Sequence, residues 1–145
     1  MLLPDDLIMK RNCSKDMIKL HNKYKASIMA SMTVKKNNVD RWGIYSISKK
    51  LNKQNFVISN VIEKPSTKDA PSNNAVIGRY ILSKNIFKIL KMQKKGKGGE
   101  IHITDSIKTM IDNKSLFIGH KFSGKYLDCG SMSGYINSTL EIAKL

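Results

Sequence analysis

Two acidic positions carry the first hint of chemistry: Asp5, with Asp6 beside it, and Asp128. Each follows a short apolar run, and open α/β sheets bind ligands outside the carboxyl ends of their strands. Carboxylates so placed suit a hard divalent cation, although Asp is also a common turn and cap residue. Glu63-Lys64-Pro65 forms a third strand-end group. Its carboxylate can accept hydrogen bonds from hydroxyls and its ammonium can meet a phosphate, the plainer alternative being a solvated ion pair. Other reactive residue types lack catalytic spacing. Gly96-Lys97-Gly98-Gly99 fits neither phosphate-loop pattern and reads as a mobile surface loop. His21, His102 and His120 have no metal-site spacing, and no Cys-His cluster supports zinc. Cys13 and Cys129 stand far apart, with no histidine close in sequence and no Gly-x-Ser-x-Gly elbow, so no covalent nucleophile is expected.

These residues need a scaffold, and 145 residues with 41% apolar content suffice for one domain with a modest core. Helices and strands taking turns indicate an α/β layer structure. Residues 1–3 read as the tail of a strand entering the acidic turn. Ser14 is the expected cap of a helix with Met17, Leu20 and Tyr24 on one stripe. A strand over 28–34 alternates in a way that predicts one face more buried than the other. Two strands, 44–47 and 56–62, flank a polar turn. A loop over 65–72 precedes a strand over 75–82, and Ser83 caps a short helix presenting Ile86, Phe87 and Leu90. Thr104 opens another helix, with Ile107, Met110 and Ile111 on one face. Strands at 116–118 and approaching Leu127-Asp128 follow. From Tyr135 onward, Ile136, Leu140 and Ala143 recur at helical spacing. There is no internal repeat and no linker between domains.

The formal net charge is +15, from 26 Lys plus Arg against 11 Asp plus Glu, and only Arg11, Arg41 and Arg79 are arginines. A cation excess can bind nucleic acid by releasing counterions. Here the lysines are scattered, and their excess together with Asn and Ile follows AT-rich codon usage. A basic module binding RNA or other polyanions is the rival reading. The absence of clustered Arg and of an aromatic stacking platform argues against it. Two distant cysteines suit reduced thiols rather than a disulfide, and no apolar run approaches the roughly 20 residues of a membrane span, so a cytoplasmic location without membrane contact is expected.

In order along the chain, the sequence carries Leu3-Pro4-Asp5-Asp6, Trp42-Gly43-Ile44, Val61-Ile62-Glu63-Lys64-Pro65, Ala70-Pro71-Ser72-Asn73-Asn74, Gly78-Arg79-Tyr80, Gly99-Glu100-Ile101-His102-Ile103-Thr104-Asp105 and Asp128-Cys129-Gly130. Each motif is weak alone. The ordered series, spanning almost the whole chain, resembles the sugar nucleotidyltransferases, and within them the bacterial UTP:glucose-1-phosphate uridylyltransferases, also called UDP-glucose pyrophosphorylases. The resemblance implies that Asp5 and Asp128 hold a catalytic Mg²⁺, with Asp6 an open alternative to Asp5. It implies that Gly43 lets the backbone approach the hexose, that Glu63 binds the sugar hydroxyls, and that Lys64 is the catalytic and substrate-binding cation neutralising the sugar phosphate. Glucose 1-phosphate or UDP-glucose is the implied ligand.

Within the matched region Trp42 stands where Tyr is usual, and His102-Ile103 where Gln-Leu is usual. The larger departure is that the family's Gly-x-Gly-Thr-Arg triphosphate loop is missing from these 145 residues. Residues 1–145 are therefore expected to be the C-terminal, sugar-phosphate-binding half of a nucleotidyltransferase domain. The implied fold is α/β, a partial doubly wound, Rossmann-like mixed sheet lacking the N-terminal nucleotide-binding strands. Such a fragment is expected to be inactive alone, to need a separate N-terminal half or a homo-oligomer, or to be the inert product of a decayed gene. Cutting a sheet in this way predicts an exposed apolar edge at residues 1–3, marginal stability and aggregation as salt rises.

Overall fold

The computed structural model describes residues 1–9 and 12–144, without the Lys97 side chain. Its elements are β1 (Asp6–Met9), α1 (Cys13–Tyr24), β2 (Ser27–Thr33), a 3₁₀ segment at Lys36–Arg41, β3 (Gly43–Lys50), β4 (Asn55–Glu63), β5 (Asn74–Ile81), α2 (Ile86–Met92), a 3₁₀ turn at Lys97–Gly99, α3 (Ile103–Asp112), β6 (Phe117–Lys121), β7 (Lys125–Asp128) and α4 (Met132–Ile142). This is the expected mixed α/β order.

The sheet is not parallel in the main. Five strands close in the order β2-β5-β3-β4-β6, with β6 returning to β2, and β1 and β7 form a separate two-stranded ribbon. Only the β2–β6 ladder is parallel, and β3 meets β5 at the single pair Ile44–Ala75. Closure explains why β2 departs from the one-sided burial its alternation predicted. Ile28 and Ala30 pack with Cys13 and Met17 of α1, whereas Met29 joins Tyr45, Phe117, Ile107 and Met110 in the cluster beneath α2 and α3. Both faces of β2 are thus covered.

Residues 1–3 are also not a bare edge. Leu3 N–H donates to Gly78 O at 2.8 Å, Tyr80 N–H donates to Met1 O at 2.9 Å, and Leu2 bridges Arg79, so the segment lies antiparallel along β5. The side chains of Met1 and Leu2 nevertheless remain exposed.

Caps fall where local hydrogen bonding dictates. Asn12, not Ser14, caps α1, its side-chain oxygen accepting from Lys15 N–H at 2.9 Å. Ser83 forms the turn before α2 by accepting from Ile86 N–H at 3.1 Å, which leaves Asn85 as the cap position. On α2 Ile86 is buried but Phe87 is 66% exposed, so the three expected apolar residues do not share a buried face. α3 behaves as its spacing predicts, with Ile107 and Met110 buried. α4 starts three residues before Tyr135, capped by Ser131 Oγ, which accepts from Gly134 N–H at 3.1 Å. Its Ile136 and Leu140 are more than half exposed. No helix among the described residues is long and apolar enough to cross a membrane.

Candidate functional site

One cleft of about 390 Å³ is lined by Asp5, Gly43, Glu63, Lys64 and Asp128, the five residues singled out in the sequence. The β1–β7 ribbon brings the first and last of these together. Its register sets Asp6 opposite Asp128, and Cys129 N–H donates to Asp5 O at 2.7 Å, so Asp5 and Asp128 flank the end of the ribbon. Gly130 lies between them. A Cβ there would sit 2.7 Å from Asp5 Oδ2 and 3.3 Å from Asp128 Oδ1, so glycine keeps open a notch that two carboxylates face.

Adjacent Asp5 and Asp6 have different surroundings. Asp6 is half-buried and engaged at both oxygens: Oδ2 accepts from Gly78 N–H at 2.6 Å and Oδ1 accepts from the Tyr126 hydroxyl. Among the described residues no hydrogen bond or ion pair reaches the exposed Asp5 carboxylate. Asp128 is held on both sides, Oδ1 accepting from Gly130 N–H at 3.0 Å and Oδ2 from Arg41 Nη2 at 2.6 Å. The Arg41 guanidinium also stacks over Trp42, 4.8 Å from the ring centroid.

The opposite wall comes from the paired ends of β3 and β4, whose register places Gly43 beside Glu63. Thr104, buried in the first turn of α3, donates from Oγ1 to Glu63 Oε2 at 2.6 Å. A Cβ on Gly43 would lie only 2.8 Å from Thr104 Cγ2 and 3.3 Å from Glu63 Oε2. Glycine at this position is required by the protein's own packing, before any ligand is considered. Lys64 follows directly on β4 with a left-handed φ of 42° while its N–H donates to Trp42 O at 3.1 Å. Asp6 and Glu63 also act on nearby phenols. Tyr80 is pushed up by burial and then by the negative charges of Glu63 and Asp6, and Tyr126 by burial and then by its bond to Asp6, so both stay protonated.

Arg41, Thr104, Tyr80 and Tyr126 line the cleft without having been assigned roles from the sequence. The signal available for them was adjacency: Arg41 lies two residues before Gly43, and Thr104 falls inside the Gly99 to Asp105 motif. Of the three histidines only His102 reaches the cleft. His120 is buried with Nδ1 2.8 Å from Asn55 Oδ1, and His21 Nδ1 lies 2.7 Å from Ala26 O.

Among the described residues no group of three or more His, Cys, Asp or Glu side chains could enclose a metal. The notch instead offers two carboxylates and open space. That donor set suits Mg²⁺, which is commonly held by one or two carboxylates together with substrate phosphates and water.

Comparison with known proteins agrees with this architecture. The chain belongs to the nucleotidyl transferase family, whose model matches residues 1–144. It is 37% identical over 141 residues to a UTP–glucose-1-phosphate uridylyltransferase of Pseudomonas aeruginosa, covering 95% of this chain and 50% of that relative. A putative enzyme of the same name from Methanocaldococcus jannaschii is 35% identical over 137 residues, with 94% and 48% covered. Among solved structures, a UDP-glucose pyrophosphorylase complexed with UDP-glucose superposes with a TM-score of 0.91 at 40% identity, covering 99% of this chain and 55% of the other. A UTP-bound enzyme from Acinetobacter baumannii gives 0.79 at 30%, with 97% and 49% covered. The chain spans about half the length of the curated relatives it matches.

Proposed function

We propose that this chain provides the sugar-phosphate side of a UTP:glucose-1-phosphate uridylyltransferase, which converts UTP and glucose 1-phosphate to UDP-glucose and pyrophosphate. The observation that carries the reading is the convergence of Asp5, Gly43, Glu63, Lys64 and Asp128, from four separate stretches of sequence, on one cleft. A phosphate oxygen of glucose 1-phosphate attacks the α-phosphorus of UTP in line. The bond from that phosphorus to the bridging oxygen breaks, and pyrophosphate leaves with the electron pair. No side-chain nucleophile is needed, so the protein's part is positioning and charge stabilisation.

Glu63, oriented by Thr104, accepts hydrogen bonds from the hexose hydroxyls with the second oxygen of its carboxylate. Lys64, the residue after β4, neutralises the sugar phosphate. Asp5 and Asp128 would hold Mg²⁺ at the Gly130 notch, where the ion contributes charge neutralisation to the phosphates. Asp5 is favoured over Asp6 because Asp6 is occupied by Gly78 and Tyr126. The triphosphate of UTP is held by residues outside this sequence, which has no Gly-x-Gly-Thr-Arg loop. A nucleotide-binding half that carries such a loop is the proposed source.

Calorimetry of glucose 1-phosphate with Mg²⁺ tests the cleft. Wild type is expected to bind, and Lys64→Ala to bind about tenfold to a hundredfold more weakly, through loss of a charge-assisted contact. Equal binding by both rejects the role of Lys64, and binding by neither rejects the reading. A pyrophosphate-release assay on the 145-residue chain is expected to show no turnover. Sustained release would overturn the placement of the UTP site elsewhere.

A further inference from the structure

We propose that Arg41 is a built-in rival of the divalent cation: it partly neutralises Asp128 and so makes cation binding depend on a phosphate-bearing ligand. The inference rests on the assignment of Asp5 and Asp128 as cation ligands. Its own basis is the division of the Asp128 carboxylate. Oδ1 faces the Gly130 notch, 3.3 Å from where a Cβ would stand, while Oδ2 is paired with Arg41 Nη2 at 2.6 Å. A cation in the notch and the guanidinium would therefore share one carboxylate from its two sides.

Two further contacts show that the guanidinium is placed there rather than passing by. Arg41 ends the 3₁₀ segment whose Val39 is fully buried, which fixes its backbone, and the guanidinium carbon sits over Trp42, 4.8 Å from the ring centroid. A stacked guanidinium suits this task better than an ammonium on a free stem, because its planar fork is weakly hydrated and already oriented.

The charge balance gives the direction of the effect. Two carboxylates facing the notch would attract a divalent ion, but one is half-cancelled by Arg41, and neighbouring Asp6 already accepts two hydrogen bonds. The ion must also approach the positive guanidinium. Arg41 and Asp128 are 53% and 29% exposed, so solvent screens this repulsion and the effect is moderate. A sugar phosphate brings negative charge to the same cleft and restores the attraction. The cation and the phosphate ligand then enter as mutual partners, a coupling that is reciprocal by thermodynamic necessity.

Mn²⁺ binding to the intact 145-residue chain, followed by loss of the free-ion paramagnetic resonance signal, tests this in wild type, Arg41→Gln, Arg41→Lys and Asp128→Asn. Without phosphate, R41Q is expected to bind Mn²⁺ roughly three- to tenfold more tightly than wild type, in line with a screened charge pair. R41K, which keeps the charge, is expected to stay near wild type. Glucose 1-phosphate should tighten Mn²⁺ binding more in wild type than in R41Q. Equal or weaker binding by R41Q overturns the proposal, and so does an R41K protein that follows R41Q. A glucose 1-phosphate effect of the same size in both proteins overturns the coupling. Failure of the underlying cation assignment looks different: Asp128→Asn would then bind Mn²⁺ as wild type does, in either background.

Discussion

At the scale of single residues, the Thr104–Glu63 bond makes a sharp prediction. Thr104→Val keeps the shape but removes the hydroxyl that donates to Glu63 Oε2. It is expected to weaken glucose 1-phosphate binding about fivefold to tenfold, less than loss of a direct hydrogen bond to a charged group because Thr104 acts through Glu63, while Thr104→Ser retains it. Calorimetry of the two variants checks this. His120 supplies a pH prediction. Burial lowers its pKa below 6.5, only partly offset by the charge of Asp16, so the unfolded chain binds the proton first as pH falls. Stability is therefore expected to be level above about pH 6.5 and to decline below it. A His120→Gln variant should show a flatter profile in denaturant titrations run from pH 8 to pH 5. That Asp5, Asp128, Glu63 and Lys64 share one cleft was legible in the sequence because strand-end position and short motifs mark them. Arg41 and Thr104 were not, because their meaning lies in partners 87 and 41 residues away.

Elements differ in what holds them. Ile107 of α3 is fully buried among Met29, Tyr45 and Phe117, whereas Phe87 of α2 is 66% exposed. Ile107→Ala is expected to cost about 2–5 kcal/mol, the usual range for emptying a packed site. Phe87→Ser should change stability by no more than about 0.5 kcal/mol, as surface substitutions do. Denaturant midpoints of the two variants would separate them, and similar losses would contradict the packing described here. The order and type of the elements were readable from apolar spacing, most clearly for α1 and α3. Ring closure was not, because it depends on the return of β6 to β2, and alternation along β2 reports one covered face where α1 and the cluster beneath α2 and α3 cover both. The α4 spacing misled for the converse reason: a periodic apolar stripe predicts a helix, but not that a neighbour covers it.

For the whole molecule, the +15 charge and the exposed α4 residues act against each other. At low ionic strength repulsion keeps chains apart. With a Debye length of about 8 Å at physiological salt, most of that repulsion is screened. Light scattering is expected to rise with salt, and Ile136→Lys with Leu140→Glu to suppress the rise by breaking the exposed stripe without touching the buried core. An unchanged salt response in that double variant would place the cause elsewhere. The paired residues 1–3 are not the expected source, since their backbone already bonds to β5.

The β1–β7 ribbon has a kinetic consequence. It is four residue pairs long, stands apart from the closed ring of strands, and joins segments near opposite ends of the chain. Short, half-buried pairings of this kind open far more often than a core does. Opening separates Asp5 from Asp128 and uncovers Ile8 and Tyr126 at the margin of one cluster, while the cluster around Tyr45, Ile107 and Phe117 stays packed. The proposed cation site therefore behaves as a clasp, opening at a lower free-energy cost, and so more often, than the whole fold. Backbone amides of 6–9 and 125–128 should exchange with solvent deuterium well ahead of those in β2 and β6, and slow selectively when an ion closes the clasp.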